Sequence, residues 1–444
     1  MNFQHICGVA ALAIVSSACA TVPASAQLAP AERTIVAAVE DGFERDVALL
    51  EAMTNVNSGT HNHEGVRAVA AMLVPEFAAL GFTTELIDQS AVGRAGHLFA
   101  RHEGAADAPN ILLIGHIDTV FEPSSPFQAF ARDGDTATGP GVVDDKGGIV
   151  VILSALRAMQ AAGTLERANI VVALTGDEED VGFPIETARA DLIAAGQWAD
   201  VALGFEGLAV QDGRDMGVVA RRSSNNWTLT TSGRTGHSSR IFSGGAGYGA
   251  AYEMARILDA FRTQLPEENL TYNVGFMAAG TPAELAEDQL SAATQGKTNI
   301  IPDSAVARGD LRTISQEQTE RVAAAMQAIV DDHLPGTDAE ITINFRYPPM
   351  SPTAANRALL ARLNAINTDM GLEAMAEYPP ALRGAADISF VAPYTSGLAG
   401  MGPSGSGSHA VGETADLRSF TRQAQRAAIL MTRLTMEGSA APAD

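Results

Sequence analysis

Apolar positions along this chain follow two periods in turn. From Pro30 to Leu80 they recur every three or four residues, which predicts Ala-rich helices around Thr34–Met53 and Gly65–Leu80. Strands are predicted near Thr83–Ile87 and Gly96–Arg101. Three unbroken apolar runs follow, Ile111–Ile114, Ile170–Leu174 and Val201–Leu203. Unbroken runs bounded by turn residues suit parallel strands covered on both faces. Helical stretches separate the runs. One covers Ile149–Ala162, with Gly163 placed to end it, and another lies near Ile185–Ala195. Strands alternating with helices predict an α/β fold: a mostly parallel sheet with helices on both faces.

The pattern changes after about Val218. Strands are predicted at Ser224–Thr231, Leu270–Phe276, Ser304–Thr313 and Glu340–Arg346, with helices at Gly247–Leu265 and Ser315–Leu334. Ser315 with Gln318 gives a capping-box start for the second helix. The order β-α-β-β-α-β predicts a ferredoxin-like α+β domain inserted at 219–347. The segments 27–218 and 348–436 then form the first domain, and 437–444 a frayed tail.

Each buried run ends in polar residues. Ile111–Ile114 leads to His116 and Asp118, Ile170–Leu174 to Asp177-Glu178-Glu179-Asp180, and Val201–Leu203 to Glu206. In open α/β sheets the ligand crevice lies beyond the carboxyl ends of the strands. Convergence of imidazole and carboxylate there predicts a metal-dependent hydrolase. Single motifs are weaker. His116-Ile117-Asp118 alone fits a structural histidine, with Asp118 an orienter rather than a ligand. Asp144 and Asp145, after the glycine-rich Gly139–Val143, could simply cap a helix. Asp177–Asp180 could be a solvated turn, although adjacent Glu178 and Glu179 also suit a general base beside a ligand. His409 follows a Gly/Ser loop through which no Gly-x-Ser-x-Gly elbow can be drawn. Gly245–Ala250 fits a dinucleotide pattern only formally, and Gly296-Lys297-Thr298 lacks the earlier glycine of a phosphate loop.

Composition narrows the partners. The 444 residues suffice for two domains, and a net charge of −23 argues against nucleic acid or anionic membrane surfaces. Residues 1–26 resemble a secretory signal: Cys7–Val15 is apolar and Ala24-Ser25-Ala26 fits a cleavage site, although the leading segment lacks Lys and Arg. A periplasmic or secreted chain follows, with lipid attachment at Cys19 the lesser alternative and no transmembrane span in the mature chain. Both cysteines, Cys7 and Cys19, fall in this segment, so a metal site must use histidine and carboxylate.

Together these motifs resemble the two-zinc exopeptidases and amidohydrolases, the family of carboxypeptidase G, aminoacylases, dipeptidases and succinyl-diaminopimelate desuccinylase. Gly115–Val120, Gly139–Gly148, Asp177–Glu179, Glu206 and His409 occur in the family's order, and the likeness covers roughly 34–436. The resemblance implies that Asp144 bridges two zinc ions, with cobalt or manganese as alternatives. His116 and Glu206 complete one site, Glu179 and His409 the other. Glu178 is the general base, Asp118 orients His116, and the Asp144–Asp145 peptide is cis. His237 in the inserted domain would stabilise the oxyanion, often from a partner subunit, so a homodimer through this lid is implied. Asn299 and Arg312 would hold a substrate carboxylate, Arg383 could add a contact, and Arg214, Arg221 and Arg222 compete for a further basic role. A surface salt bridge is the plainer role for Arg312. The implied activity is hydrolysis of a peptide or acyl-amino-acid amide next to a free carboxylate. The carboxypeptidase or dipeptidase form leads, an aminoacylase-like deacylase is the alternative, and an inactive peptide-binding protein is the alternative of another class.

Overall fold

The computed structural model describes residues 28–437. The signal-like segment, both cysteines and the end of the tail lie outside the described residues.

Helices α1 (Pro30–Thr54) and α2 (His63–Ala78) lead into the main sheet. Its strands are β1 (Thr83–Ile87), β2 (His97–His102), β3 (Asn110–His116), β4 (Asn169–Thr175), β5 (Val201–Gly204) and an edge strand, Ser396–Leu398. The spatial order is β1-β2-β4-β3-β5 and then the edge strand. The last four run parallel, and β2 is antiparallel to both its neighbours. Alternation along each strand divides the core. Ile111, Leu113, Ile170, Val172 and Leu203 face α1, helix α3 (Lys146–Ala161) and the C-terminal helix Leu417–Glu437. Leu112, Ile114, Val171, Ala173 and Ala202 face helix α4 (Ala190–Trp198). Full burial of each such side chain is worth roughly 1.5–3 kcal/mol. This is why the runs are apolar at every position rather than at every second one.

Register places the chemistry. His116 pairs with Thr175, and Ile114 with Gly204. The polar residues after all three strands therefore leave the sheet at one edge. The helix expected at Ile185–Ala195 is broken into Ile185–Ala188 and α4. The break falls at Arg189, whose fully buried side chain turns inward to Asp177 and Asp387.

A second, antiparallel sheet contains β6 (Ser224–Gly233), β7 (Thr271–Tyr272), β8 (Phe276–Gly280), β9 (Ser304–Arg312) and β10 (Thr337–Tyr347). Strand β9 carries β7 and β8 on its outer side, β6 pairs its inner side, and β10 is the far edge. The strand expected over Leu270–Phe276 is thus two short ones, joined by Asn273–Gly275. Along β6, Asn225, Trp227, Leu229 and Thr231 are buried in alternation. Trp227 meets Phe261 of helix α5 (Ala250–Gln264) edge-on at 6.1 Å, and helix α6 (Gln316–Val330) packs on the same face. Ser315 caps α6 by accepting from the Gln318 amide, while the Gln318 side chain accepts from Ile314 rather than from Ser315. The two connectors to this lid pair with each other: Arg221 and Met350 exchange backbone hydrogen bonds, each 2.9 Å.

Candidate metal centre

His116 closes β3 and is 1% exposed. Its Nδ1 lies 3.0 Å from the Asp118 carbonyl oxygen, which calls for a proton on Nδ1. Nε2 then points at Asp144 Oδ1, 3.1 Å away. The other Asp144 oxygen, Oδ2, lies 3.2 Å from His409 Nε2, which is also 3.0 Å from Glu179 Oε2. One carboxylate thus presents each of its oxygens to a different imidazole. Ligand atoms of His116, Asp144 and Glu179 all lie within 4.8 Å of one another.

Asp144 is aimed by its loop. The Asp144–Asp145 peptide is cis. Asp145 Oδ2 accepts from the His116 amide at 3.2 Å, so this aspartate braces the strand end instead of capping α3. Glu413, fully buried, accepts from the amides of Val143 (2.8 Å), Asp144 (3.1 Å) and Gly141 (3.3 Å). Gly148 lets α3 approach, because a Cβ there would collide with Asp145 and with the Phe205 carbonyl.

The Asp118 carboxylate, expected to orient His116, is not the nearest partner of that ring. The chain turns after β3, so the carboxylate stands 3.4 Å from Nδ1, farther than its own carbonyl. Its oxygens instead accept from the amides of Glu178 (3.0 Å) and Glu179 (3.1 Å) and from Thr60 Oγ1 (2.6 Å). It anchors the acidic turn to the histidine strand. Beneath that turn, Arg189 holds Asp177 (2.6 Å) and Asp387 (2.8 Å).

Charge crowding shows in the acids. Burial, reinforced by the Glu206 charge, pushes the Glu178 carboxyl well above the carboxylate range. Burial lifts Glu179 to about 7 although His409 bonds to it, and the Asp144 charge adds to the rise. Burial opposes ionisation of Asp144 too, but hydrogen bonds from His116 and His409 hold it well below the usual range. Oε1 of Glu179 and Oδ1 of Asp145 are buried without a hydrogen-bond partner. The orphaned oxygen of Glu179, on a carboxylate beside His409 and within reach of His116, belongs to a donor set that fits divalent cations.

The other expected residues divide between two places. Glu206 follows β5 and lines the same small cavity as His116, with Oε2 2.5 Å from Arg221 Nη2. Of the three competing arginines, Arg221 is therefore the one at the site. Arg214 pairs with exposed Glu373, and Arg222 donates to Thr271. Arg383 donates to the Gly207 carbonyl, and burial and the nearby Arg221 charge lower its pKa to about 10. His237, Asn299 and Arg312 belong to the lid. His237 pairs with Ile300 and holds Ser239, and the Asn299 carbonyl accepts from Ser238. Arg312 pairs with Asp310 at 3.1 Å. The contacts of these three stay within the lid, away from the histidine–carboxylate cluster. Sequence reasoning missed Glu413, Arg189, Thr60 and Tyr347, whose hydroxyl donates to the Glu178 carbonyl at 2.6 Å. Only Glu413 left a trace, four residues after His409.

Known proteins resemble this chain in sequence and in fold. Residues 112–433 match the model of peptidase family M20/M25/M40. Carboxypeptidase G2 of Pseudomonas sp. (strain RS-16) is 26% identical over 340 residues, 73% of this chain and 74% of that protein. Succinyl-diaminopimelate desuccinylase of Variovorax paradoxus (strain S110) is 25% identical over 397 residues, 84% and 94% of the two chains. The fold is that of Bacillus cereus aminopeptidase PepT, with a TM-score of 0.67 at 17% identity, covering 88% of this chain and 98% of the other. Human carnosine dipeptidase 1 aligns with a TM-score of 0.60 at 11% identity over 92% and 100%. No helix among the described residues is long and apolar enough to cross a membrane. With a family model spanning both sides of the lid, the chain belongs to peptidase family M20/M25/M40, as a metallo-exopeptidase or amidohydrolase of its dinuclear class.

Proposed function

We propose that this enzyme hydrolyses a peptide amide next to a free carboxylate, as a carboxypeptidase or dipeptidase. The carrying observation is Asp144, with one oxygen 3.1 Å from His116 and the other 3.2 Å from His409. This disposition supports reading Asp144 as a carboxylate shared between two cation sites. His116, Glu206 and Asp144 would hold one cation, and Glu179, His409 and Asp144 the other. A pair of divalent cations, zinc in this reading, would polarise the scissile carbonyl and make water acid enough to attack near neutral pH.

The chain's own residues supply the rest. The Glu178 carboxylate takes the proton of the attacking water and delivers it to the leaving amine. Burial of Glu178 supports this role, because a raised pKa suits a base that must later act as an acid. Arg383, half-buried and close enough to feel the charges of Glu206 and Asp144, offers positive charge for a substrate carboxylate. Asn299 and Arg312 would reach the same carboxylate from the lid, and His237 the oxyanion, across a homodimer formed through the lid. The signal-like segment supports export to the periplasm or beyond.

The test is reloading of chelator-stripped protein with zinc, followed by mass-spectrometric assay of dipeptides, N-acyl amino acids and their carboxamide analogues. Two equivalents of zinc per chain are expected. Dipeptide cleavage should fall at least tenfold when the free carboxylate is amidated. Glu178→Ala should keep its metal and lose a factor of about 10² or more in kcat. Cleavage confined to N-acyl amino acids would make the enzyme a deacylase. Less than one equivalent of metal with no hydrolysis would make it a binding protein.

A further inference from the structure

The hydrogen bonds on Glu178 run to its backbone. Its amide donates to Asp118 Oδ1 at 3.0 Å, and its carbonyl accepts from the Tyr347 hydroxyl at 2.6 Å. Both peptide planes flanking this residue are thus fixed from outside the turn. A side chain held this way is aimed by its main chain, so a tilt of either plane moves the carboxylate.

Tyr347 is well placed to set that plane. It is 7% exposed, its ring packs on Phe390 at 5.0 Å, and its oxygen accepts from Arg189 Nη2 at 3.3 Å. Arg189 in turn is locked to Asp177 and Asp387. The hydroxyl therefore has one proton, one acceptor and one fixed donor. Tyr347 is also the last residue of β10, paired there with Ser224 of β6. Its neighbour Arg346 reaches the same turn, 3.7 Å from Asp180 and 5.4 Å over the Phe183 ring. Two consecutive lid residues grip the turn that carries Glu178.

We infer that Tyr347 is a positioning residue for the general base: its hydroxyl fixes the peptide from which Glu178 projects, and it couples that peptide to the lid sheet. The inference rests on the proposed role of Glu178.

The test is Tyr347→Phe, made both in the natural chain and in Glu178→Gln, with kcat, KM, metal content and Tm measured for each. In the natural chain kcat should fall about tenfold, with KM and metal content unchanged. In the Glu178→Gln background the same change should lower residual kcat less than twofold. Phe390→Leu unseats the ring but leaves the hydroxyl, and should give the same pattern at smaller size. It decides the matter if Tyr347→Phe does not fold. An equal loss in both backgrounds, or no loss in either, overturns the inference. Near-natural kcat in Glu178→Gln alone would instead remove the general-base role on which it rests.

Discussion

Glu413 is the residue whose removal should reach the metals without touching a ligand. Its Oε1 accepts from the Val143 and Asp144 amides, and Oε2 from Gly141. Hydrogen bonds to a charged group contribute about 1.5–3 kcal/mol each. Above about pH 7, where Glu413 is ionised, Glu413→Gln keeps the two bonds at one oxygen only as neutral bonds, each weaker by about 1 kcal/mol, and loses the Gly141 bond because its amide nitrogen then faces that N–H, about 4 kcal/mol in all. Glu413→Ala loses all three and leaves the amides buried. The loop they belong to carries Asp144, and loss of an outer partner of a metal ligand typically costs 10–100-fold in affinity. Cation affinity should therefore weaken about tenfold in Glu413→Gln and about 100-fold in Glu413→Ala. Competition with a chromophoric chelator, on stripped protein of verified circular dichroism, reads this directly. Natural affinity in a folded Glu413→Ala would show that the loop is held by something else, and the reasoning would fail.

Metal removal should make stability depend on pH. Burial first, and the Asp144 charge with it, raise Glu179 and Glu413 from an ordinary value of 4.5 to about 7. Between those values the folded chain binds more protons than the unfolded one, so stability falls as pH rises. The Tm of stripped protein should drop between pH 4.5 and 7 and recover with zinc, and a flat profile would contradict this. Asp215 tests the main body. Burial opposes its ionisation, but Arg422 (2.7 Å) and Arg426 (2.6 Å) hold it below the usual carboxylate range. That contribution is present above the ordinary carboxylate pKa and is lost as pH falls through the lower folded value. Asp215→Ala leaves Arg426, 1% exposed, without its anion and should cost about 3–5 kcal/mol in denaturant unfolding. A loss under 1 kcal/mol would mean that Asn367 and Gln423 alone satisfy the guanidinium.

What the sequence made legible follows from periodicity and strand ends. Ile111–Ile114, Ile170–Leu174 and Val201–Leu203 are apolar throughout because both sheet faces are covered, and that pattern needs no partner to be read. His116, the acidic turn and Glu206 stood out because polar residues break those runs. The bend at Arg189 was not legible, since nothing local marks an arginine that turns inward. Its partners Asp177 and Asp387 are 12 and 198 residues away. Asp118 is legible as a partner of His116 two residues away, but not as the acceptor of two distant amides, because the chain turns after His116 and sends the carboxylate there. Glu413 and Tyr347 act through backbone groups 269 and 169 residues distant. Only the assembled fold brings those together.

The paired connectors at Arg221 and Met350 bear on how far this enzyme can be rebuilt from parts. A cap swinging on loose linkers could be exchanged for another at any point along them. Here the two crossings form a seam, with Arg221 on Glu206 just at one strand and Tyr347 on Glu178 close by on the other. A chimaera cut on the lid side of Arg221 and Tyr347 would leave each grip with its own acid and give the new lid none. Junctions placed on the catalytic side of Arg221 and Met350 would carry the grips intact, but only into a recipient whose own acids stand in the same register.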